Sequence, residues 1–194
     1  MLAALAPGAS VAGAAERPPS VGDPAPLFVL PRVAPRPGEP SHFVLRAHVG
    51  PEALTPASVV ALAFLAPWSE ATAPYLERLA HRADRPDVLA VGILIEPADP
   101  DDAVIRQARR AGVVLVSDPH RVLTRRFDVD AVPLTVLVDG EGRVGGRHAG
   151  AGPEAWAALE APLALEPVPT STSAPPEAQK STRTGPMPRV TPPP

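Results

Sequence analysis

Ser69, Glu70 and Thr72 follow Trp68 just beyond the apolar run Val59–Leu65, and each carries an oxygen able to do chemistry. A hydroxyl at a strand-to-helix junction sits where backbone N–H groups are unpaired and the helix dipole is positive. Such a place suits a nucleophile or a bound anion. Ser69 is thus a candidate nucleophile and Glu70 a candidate acid/base group. Against this, no G-x-S-x-G surrounds Ser69, and spacing assigns it no histidine as base. Ser69 equally suits a helix N-cap, and Glu70 a solvated carboxylate in the first turn. These plainer readings are preferred. Trp68 fits a groove wall and core packing equally well.

Metal chemistry finds little footing. On an unbroken strand His42 and His48 share a face but stand about 20 Å apart at ~3.3 Å per residue, too far to hold one ion. His81, His120 and His148 show no metal-motif spacing. In the segment Glu96–Asp102 the acids read as a helix start: Asp99 caps, Pro100 takes the first helical position, and the remaining acids favour the dipole. No metal and no cofactor are expected. The sequence has no cysteine. Disulfide exchange and peroxide reduction both need a thiolate nucleophile, so neither is expected of this chain.

The elements that position these residues follow from periodicity. Val59–Leu65 and Asp87–Ile95 are continuous apolar runs, the pattern of parallel strands covered on both faces. Leu76, Leu79, Ala80 and Ala83 fall on one helical face after Ser69, with Pro74 placed early enough to kink that helix. Val104, Ile105 and Ala108 face inward on a second helix ended by Gly112. A short strand, Val113–Val116, precedes a helix opened by Asp118-Pro119 with Val122, Leu123 and Phe127 inward. Two further strands meet at Asp139-Gly140, good tight-turn chemistry. A last helix opens at Pro153 with Trp156 and Leu159 inward. Near the start, the apolar segment Leu27–Pro31 and the alternating run His42–Val49 read as a hairpin.

The 194 residues suffice for one domain with a sizeable core. Of 29 prolines, ten lie from Pro162 onward and nine before Ser41, so a folded middle is expected between irregular ends. Residues 1–20 read as a leader, 21–161 as the domain, and 162–194 as a disordered Pro-rich tail with too little apolar surface to offset ordering entropy. Met1–Ala15 is small and apolar, and Ala12-Gly13-Ala14 fits a signal-peptidase site, yet the positive n-region is missing. Secretory signal and Ala-rich leader stand level, and with them an extracytoplasmic or cytoplasmic location. No run is long enough to span a bilayer. Nothing in a net charge of −3 suggests nucleic acid, which would want a clustered basic face, so no nucleic-acid partner is expected.

Three stretches carry a resemblance. Val21-Gly22-Asp23-Pro24-Ala25-Pro26 with Leu27-Phe28-Val29-Leu30-Pro31 resembles the G-x-x-A-P-x-F-x-L-P entry of the redoxin, TlpA-like (AhpC/TSA-related) branch of the thioredoxin superfamily. The strand running into Ala66-Pro67-Trp68 resembles that superfamily's active-site turn, where Cys-x-x-Cys follows. Here those positions read Ser69 and Thr72. Ala73-Pro74-Tyr75-Leu76-Glu77 lies about one turn nearer the Trp than the family's equivalent, so Ser69 maps more securely than Thr72. Val132-Pro133-Leu134-Thr135 resembles the cis-proline loop.

The resemblance, over Val21–Glu160, implies an α/β thioredoxin-like fold: a central mixed sheet with helices on both faces and an N-terminal hairpin. It implies a cis bond before Pro133 and a groove between Trp68 and Val132-Pro133-Leu134-Thr135, where Val132's backbone pairs with an extended peptide. Three functional readings stand. One is a redox-inactive module that binds a protein or extended peptide. Another is a non-thiol enzyme using Ser69 or Glu70. The third is a structural domain carrying a Pro-rich interaction tail. The particular partner and the oligomeric state are not specified by the sequence.

Overall fold

The chain enters through two three-residue strands, β1 (Val29–Pro31) and β2 (His42–Val44), paired antiparallel with Leu30 opposite Phe43. In the computed structural model the alternating run does not continue as a strand to Val49. It breaks into a 3-10 turn at Leu45–Ala47. The reason lies in its carbonyls: those of Ala47 and His48 accept N–H groups from Leu54, Thr55 and Ala57, so a folded-back loop takes the place of a sheet partner. His42 and His48 therefore do not share a strand face. His48 instead stacks on Phe43, with ring centroids 5.0 Å apart.

Next comes β3 (Val59–Leu65), the seven-residue apolar run, and every residue in it is buried. Successive strand side chains point to opposite faces, and the core divides accordingly. Val60, Leu62 and Phe64 enter one cluster; Val59, Ala61, Ala63 and Leu65 enter the other. Helix α1 (Thr72–Ala83) returns the chain to β4 (Val88–Leu94), parallel to β3. Helix α2 (Ala103–Arg110) leads to β5 (Val114–Ser117), parallel to β4. After α3 (Val122–Arg126), β6 (Leu134–Asp139) runs antiparallel to β3, and β7 (Val144–Ala149) antiparallel to β6. The mixed sheet has the order β5-β4-β3-β6-β7. Tyr75, Leu76, Leu79, Ile105 and Ala108 bring α1 and α2 onto one face. Leu123 and Phe127 of the α3 segment cover the other, beside Phe43 and Leu45.

Close packing explains Gly92 in β4. A Cβ there would lie 2.7 Å from a Leu115 methyl, with Leu76 and Leu65 also in contact.

Several local expectations are revised. Asp99 does not cap α2: its Oδ1 accepts the Asp101 N–H in a turn that precedes the helix, and α2 begins at Ala103. Val122 faces outward, because α3 is only five residues long and buries Leu123 and Thr124 instead. In the β6–β7 turn the left-handed residue is Gly142, at φ 84°, while Asp139 Oδ1 gathers the N–H groups of Glu141 and Arg143. Gly112, at φ 82°, follows the end of α2.

The structure describes residues 17–99, 101–152 and 157. All belong to the unit Met1–Ala164; the second unit, Leu165–Pro194, lies outside the described residues. So do most of the leader, Pro100, the side chain of Val104, Pro153, Trp156 and Leu159 of the expected last helix, and the Pro-rich tail. Among the described residues no helix is long and apolar enough to cross a membrane.

Candidate functional site

Where β3 ends, the chain folds its polar groups back on themselves. The Ala66 carbonyl accepts two donors, the Ser69 N–H at 3.0 Å and the Thr72 hydroxyl at 2.6 Å. The Ser69 carbonyl then accepts the Thr72 N–H at 2.9 Å. These two consecutive turns delay the helix by three residues. Its N-cap is Ala71, in the α region and with no side-chain cap, so Ser69 is not the cap and Glu70 is not in the first turn. Thr72 is only 4% exposed and acts as a clip inside the turn. Pro74, third in α1, stands where an N–H has no intrahelical partner in any case, and α1 runs unbroken through it. Among the described residues neither the Ser69 hydroxyl nor the Glu70 carboxylate has a hydrogen-bond partner. A nucleophile held by a base is therefore not assembled here.

Trp68 stands out from this turn, 69% exposed. Its indole N–H donates to Glu96 Oε2 at 2.8 Å, and Arg121 pairs with the other oxygen of the same carboxylate. Glu96 lies just past β4 and Arg121 just before α3, so one carboxylate ties together segments leaving β3, β4 and β5 at their C-terminal ends. Arg121 itself is left-handed, at φ 52°, a conformation unfavourable for a residue with a Cβ. Asp118 holds it there. The Arg121 N–H donates to the Asp118 carbonyl, and the buried Asp118 carboxylate accepts the N–H groups of Val122 and Thr124 and the Thr124 hydroxyl. Neither Glu96 nor Arg121 stands out in the sequence as a site residue. Their shared signal is position: each lies next to the C-terminal end of a parallel strand, where open α/β sheets place their sites.

On the other side of β3, Phe64 pairs with Leu134, so the Ala66–Thr72 turn and the Val132–Pro133 segment leave the sheet at the same end. The Val132–Pro133 peptide bond is cis. The Pro133 carbonyl accepts the Gly150 N–H at 2.8 Å, while the N–H and C=O of Val132 have no hydrogen-bond partner among the described residues. Leu134 and Thr135 are buried. They support the loop from beneath: Leu134 joins the core, and the Thr135 hydroxyl meets that of Tyr75 in α1. Burial pushes the Tyr75 phenol above its ordinary pKa, an effect partly opposed by that hydrogen bond. Trp68 is anchored on the β4 side and Val132 emerges on the β6 side. Strands β4 and β6 flank β3, so at about 4.8 Å per strand spacing these two ends lie roughly 10 Å apart across the sheet.

Among the described residues no group of three or more His, Asp or Glu could hold a metal ion.

No protein-family model matches the chain, and no curated protein matches it. Solved structures do. One, from Chlorobium tepidum and assigned as the thiol:disulfide interchange protein DsbE, is 26% identical; the match covers 73% of this chain and 94% of that one, with a TM-score of 0.56. The thioredoxin domain of a thiol-disulfide oxidoreductase from Bacteroides vulgatus is 16% identical, with 73% and 96% covered and a TM-score of 0.54. A Bacteroides thetaiotaomicron protein assigned as a disulfide isomerase gives 22% identity, 73% and 86% coverage and a TM-score of 0.54. With its mixed five-stranded sheet flanked by helices and its N-terminal strand pair, the chain is a thioredoxin-like domain, and its sequence contains no cysteine.

Proposed function

We propose that this domain carries out no thiol chemistry and binds an extended peptide or protein segment in the cleft between Trp68 and Val132. The observation that carries this reading is the pair of unused peptide groups on Val132. Backbone N–H and C=O groups are strong donors and acceptors. Val132 is half-buried, so water meets its groups in the free chain, and an extended segment can replace that water by satisfying both at once. Trp68 adds a large aromatic face, held in place through its indole N–H so that the ring is free to receive a side chain. The solved relatives of this fold named above are thiol-disulfide oxidoreductases or an isomerase by description. Without a thiolate, this chain retains only the part of such a site that grips the polypeptide.

The test is a titration of the full chain with extended peptides selected on an array, followed by amide and indole NMR. The Val132 amide and the Trp68 indole N–H should shift together. A peptide that binds while moving neither signal overturns the reading. Dithiothreitol-driven insulin reduction should stay at the buffer blank, and turnover above it removes the non-thiol part of the proposal.

A further inference from the structure

A second surface, separate from the Trp68 cleft, has the makings of a strand-pairing site. Between β1 and the Asp118–Arg126 segment lies an open cavity of about 550 Å³. Its apolar lining includes Leu27, Val29 and Val122, which are 53%, 58% and 46% exposed. Scattered exposed apolar side chains are ordinary, but several facing one groove mark an interaction surface.

The backbone of β1 supplies the second observation. The Leu45 N–H donates to the Phe28 carbonyl, and the Arg32 N–H to the Ser41 carbonyl. In an antiparallel pair, hydrogen-bonded and non-bonded positions alternate. Phe28, Leu30 and Arg32 therefore address β2, and Val29 turns its peptide groups away from it. Further along, the outer edge is closed: the Val33 N–H donates to Leu115, and Arg32 bridges to Val116. Among the described residues only the part of the edge around Val29 stays open, and it stays open where the cavity lies.

Charge selects the occupant. Arg126 lines the cavity, is exposed, and has no ion-pair partner among the described residues. The one carboxylate in the lining, Asp118, is buried and already accepts three hydrogen bonds. Arg125 adds a second cation in the same helix, with no acidic partner among the described residues. A second copy of this chain would bring the same arginines to the contact and be repelled.

We propose that this groove docks an extended segment of another protein, which pairs with Val29 as an added strand, seats apolar side chains against Leu27 and Val122, and turns a carboxylate toward Arg126.

The probe is a labelled synthetic peptide of alternating valine and threonine ending in two glutamates, compared by fluorescence anisotropy with the same peptide ending in two lysines. The full chain should bind the glutamate peptide at least tenfold more tightly, with affinity falling as salt rises. Arg126→Glu should reverse the preference, and Val122→Asp should weaken both peptides about tenfold. Both positions are exposed, and far-UV circular dichroism should be unchanged in each variant. Three results overturn the proposal: no binding of either peptide, equal binding that ignores the charge at position 126, or binding indifferent to Val122→Asp. Concentration-dependent dimerisation lost in Val122→Asp would give the groove to a second copy and overturn it too.

Discussion

The turn after β3 and the loop before β6 emerge side by side and treat their polar groups in opposite ways. In Ala66–Thr72 the groups close on one another: the Ala66 carbonyl takes two donors, and Thr72 is spent as a clip. At Val132–Pro133 the peptide groups of Val132 have no partner among the described residues. The turn is held in shape by its own hydrogen bonds, although the Ser69 hydroxyl and Glu70 carboxylate stay without a partner among the described residues. The loop, in contrast, leaves backbone groups that a partner could take. In the proposed cleft, recognition falls to what Trp68 and Val132 present.

The contrast can be broken from several directions. The largest effect belongs to Asp118→Ala, which leaves the N–H groups of Val122 and Thr124 and the Thr124 hydroxyl without their acceptor. Hydrogen bonds to a charged group contribute about 1.5–3 kcal/mol each when measured singly, and losing the shared acceptor should cost roughly 3 kcal/mol by urea denaturation. The Arg121 N–H keeps its bond to the residue-118 carbonyl, but the turn that holds Arg121 left-handed loses its side-chain support, so peptide affinity at the proposed Trp68 cleft should fall with stability. Unchanged affinity would detach that anchor from the site. Trp68→Ala should cost about tenfold in peptide affinity, about 1.4 kcal/mol, with a much smaller change in the denaturation midpoint. The reverse pattern would make Trp68 a packing residue.

Thr72→Val keeps the shape and removes the clip, and should lower stability by about 1 kcal/mol while peptide affinity holds. A loss of affinity matching that of Trp68→Ala would mean the turn takes part in recognition. The smallest effect concerns pH. Burial lowers the pKa of His48 and of His148 from the usual 6.5. For His48 a hydrogen bond to Thr55 partly opposes the shift and the Arg32 charge adds to it. Protonation then favours the unfolded chain. Their contribution is complete above about pH 6.5 and is lost as pH falls below it toward the lowered folded values. Thermal midpoints from pH 8 down to 5 should decline from about 6.5 downward, and the His48→Gln variant should flatten part of that slope.

How far the sequence discloses this arrangement depends on the range of the interactions. Val59–Leu65 is legible to the residue because seven consecutive apolar side chains need cover on both faces, and Ala66-Pro67 cannot extend them. The start of α1 is not legible from Ser69 alone. Serine favours a cap, but the Thr72 hydroxyl competes for the same turn and wins by reaching Ala66. Pro74 is the better signal, since proline belongs in a first helical turn and so argues for a start near Thr72. Val122 misleads because five residues hold too little periodicity to define a face. Glu96 and Arg121 come together through neighbouring strand ends, 28 and 53 residues beyond Trp68 in the chain. No local pattern encodes such a meeting; strand order does. The cleft's Val132 is legible through its proline, whereas its unpaired state emerges only once every neighbouring hydrogen bond has been assigned.

The Thr72 clip also sets what it would take to re-engineer this turn. Installing a dithiol by Ser69→Cys and Thr72→Cys would put one sulfur in a partly exposed position and the other in a site 4% exposed, where it would replace the donor to Ala66. A thiol is a weak donor, so the turn would loosen before any exchange chemistry began. The second cysteine would also start out shielded from a substrate disulfide. Converting this turn to a working dithiol site should therefore require a rebuilt helix start besides the two substitutions. The clip works as a latch: it holds the turn in a form that a dithiol cannot occupy until the helix start moves.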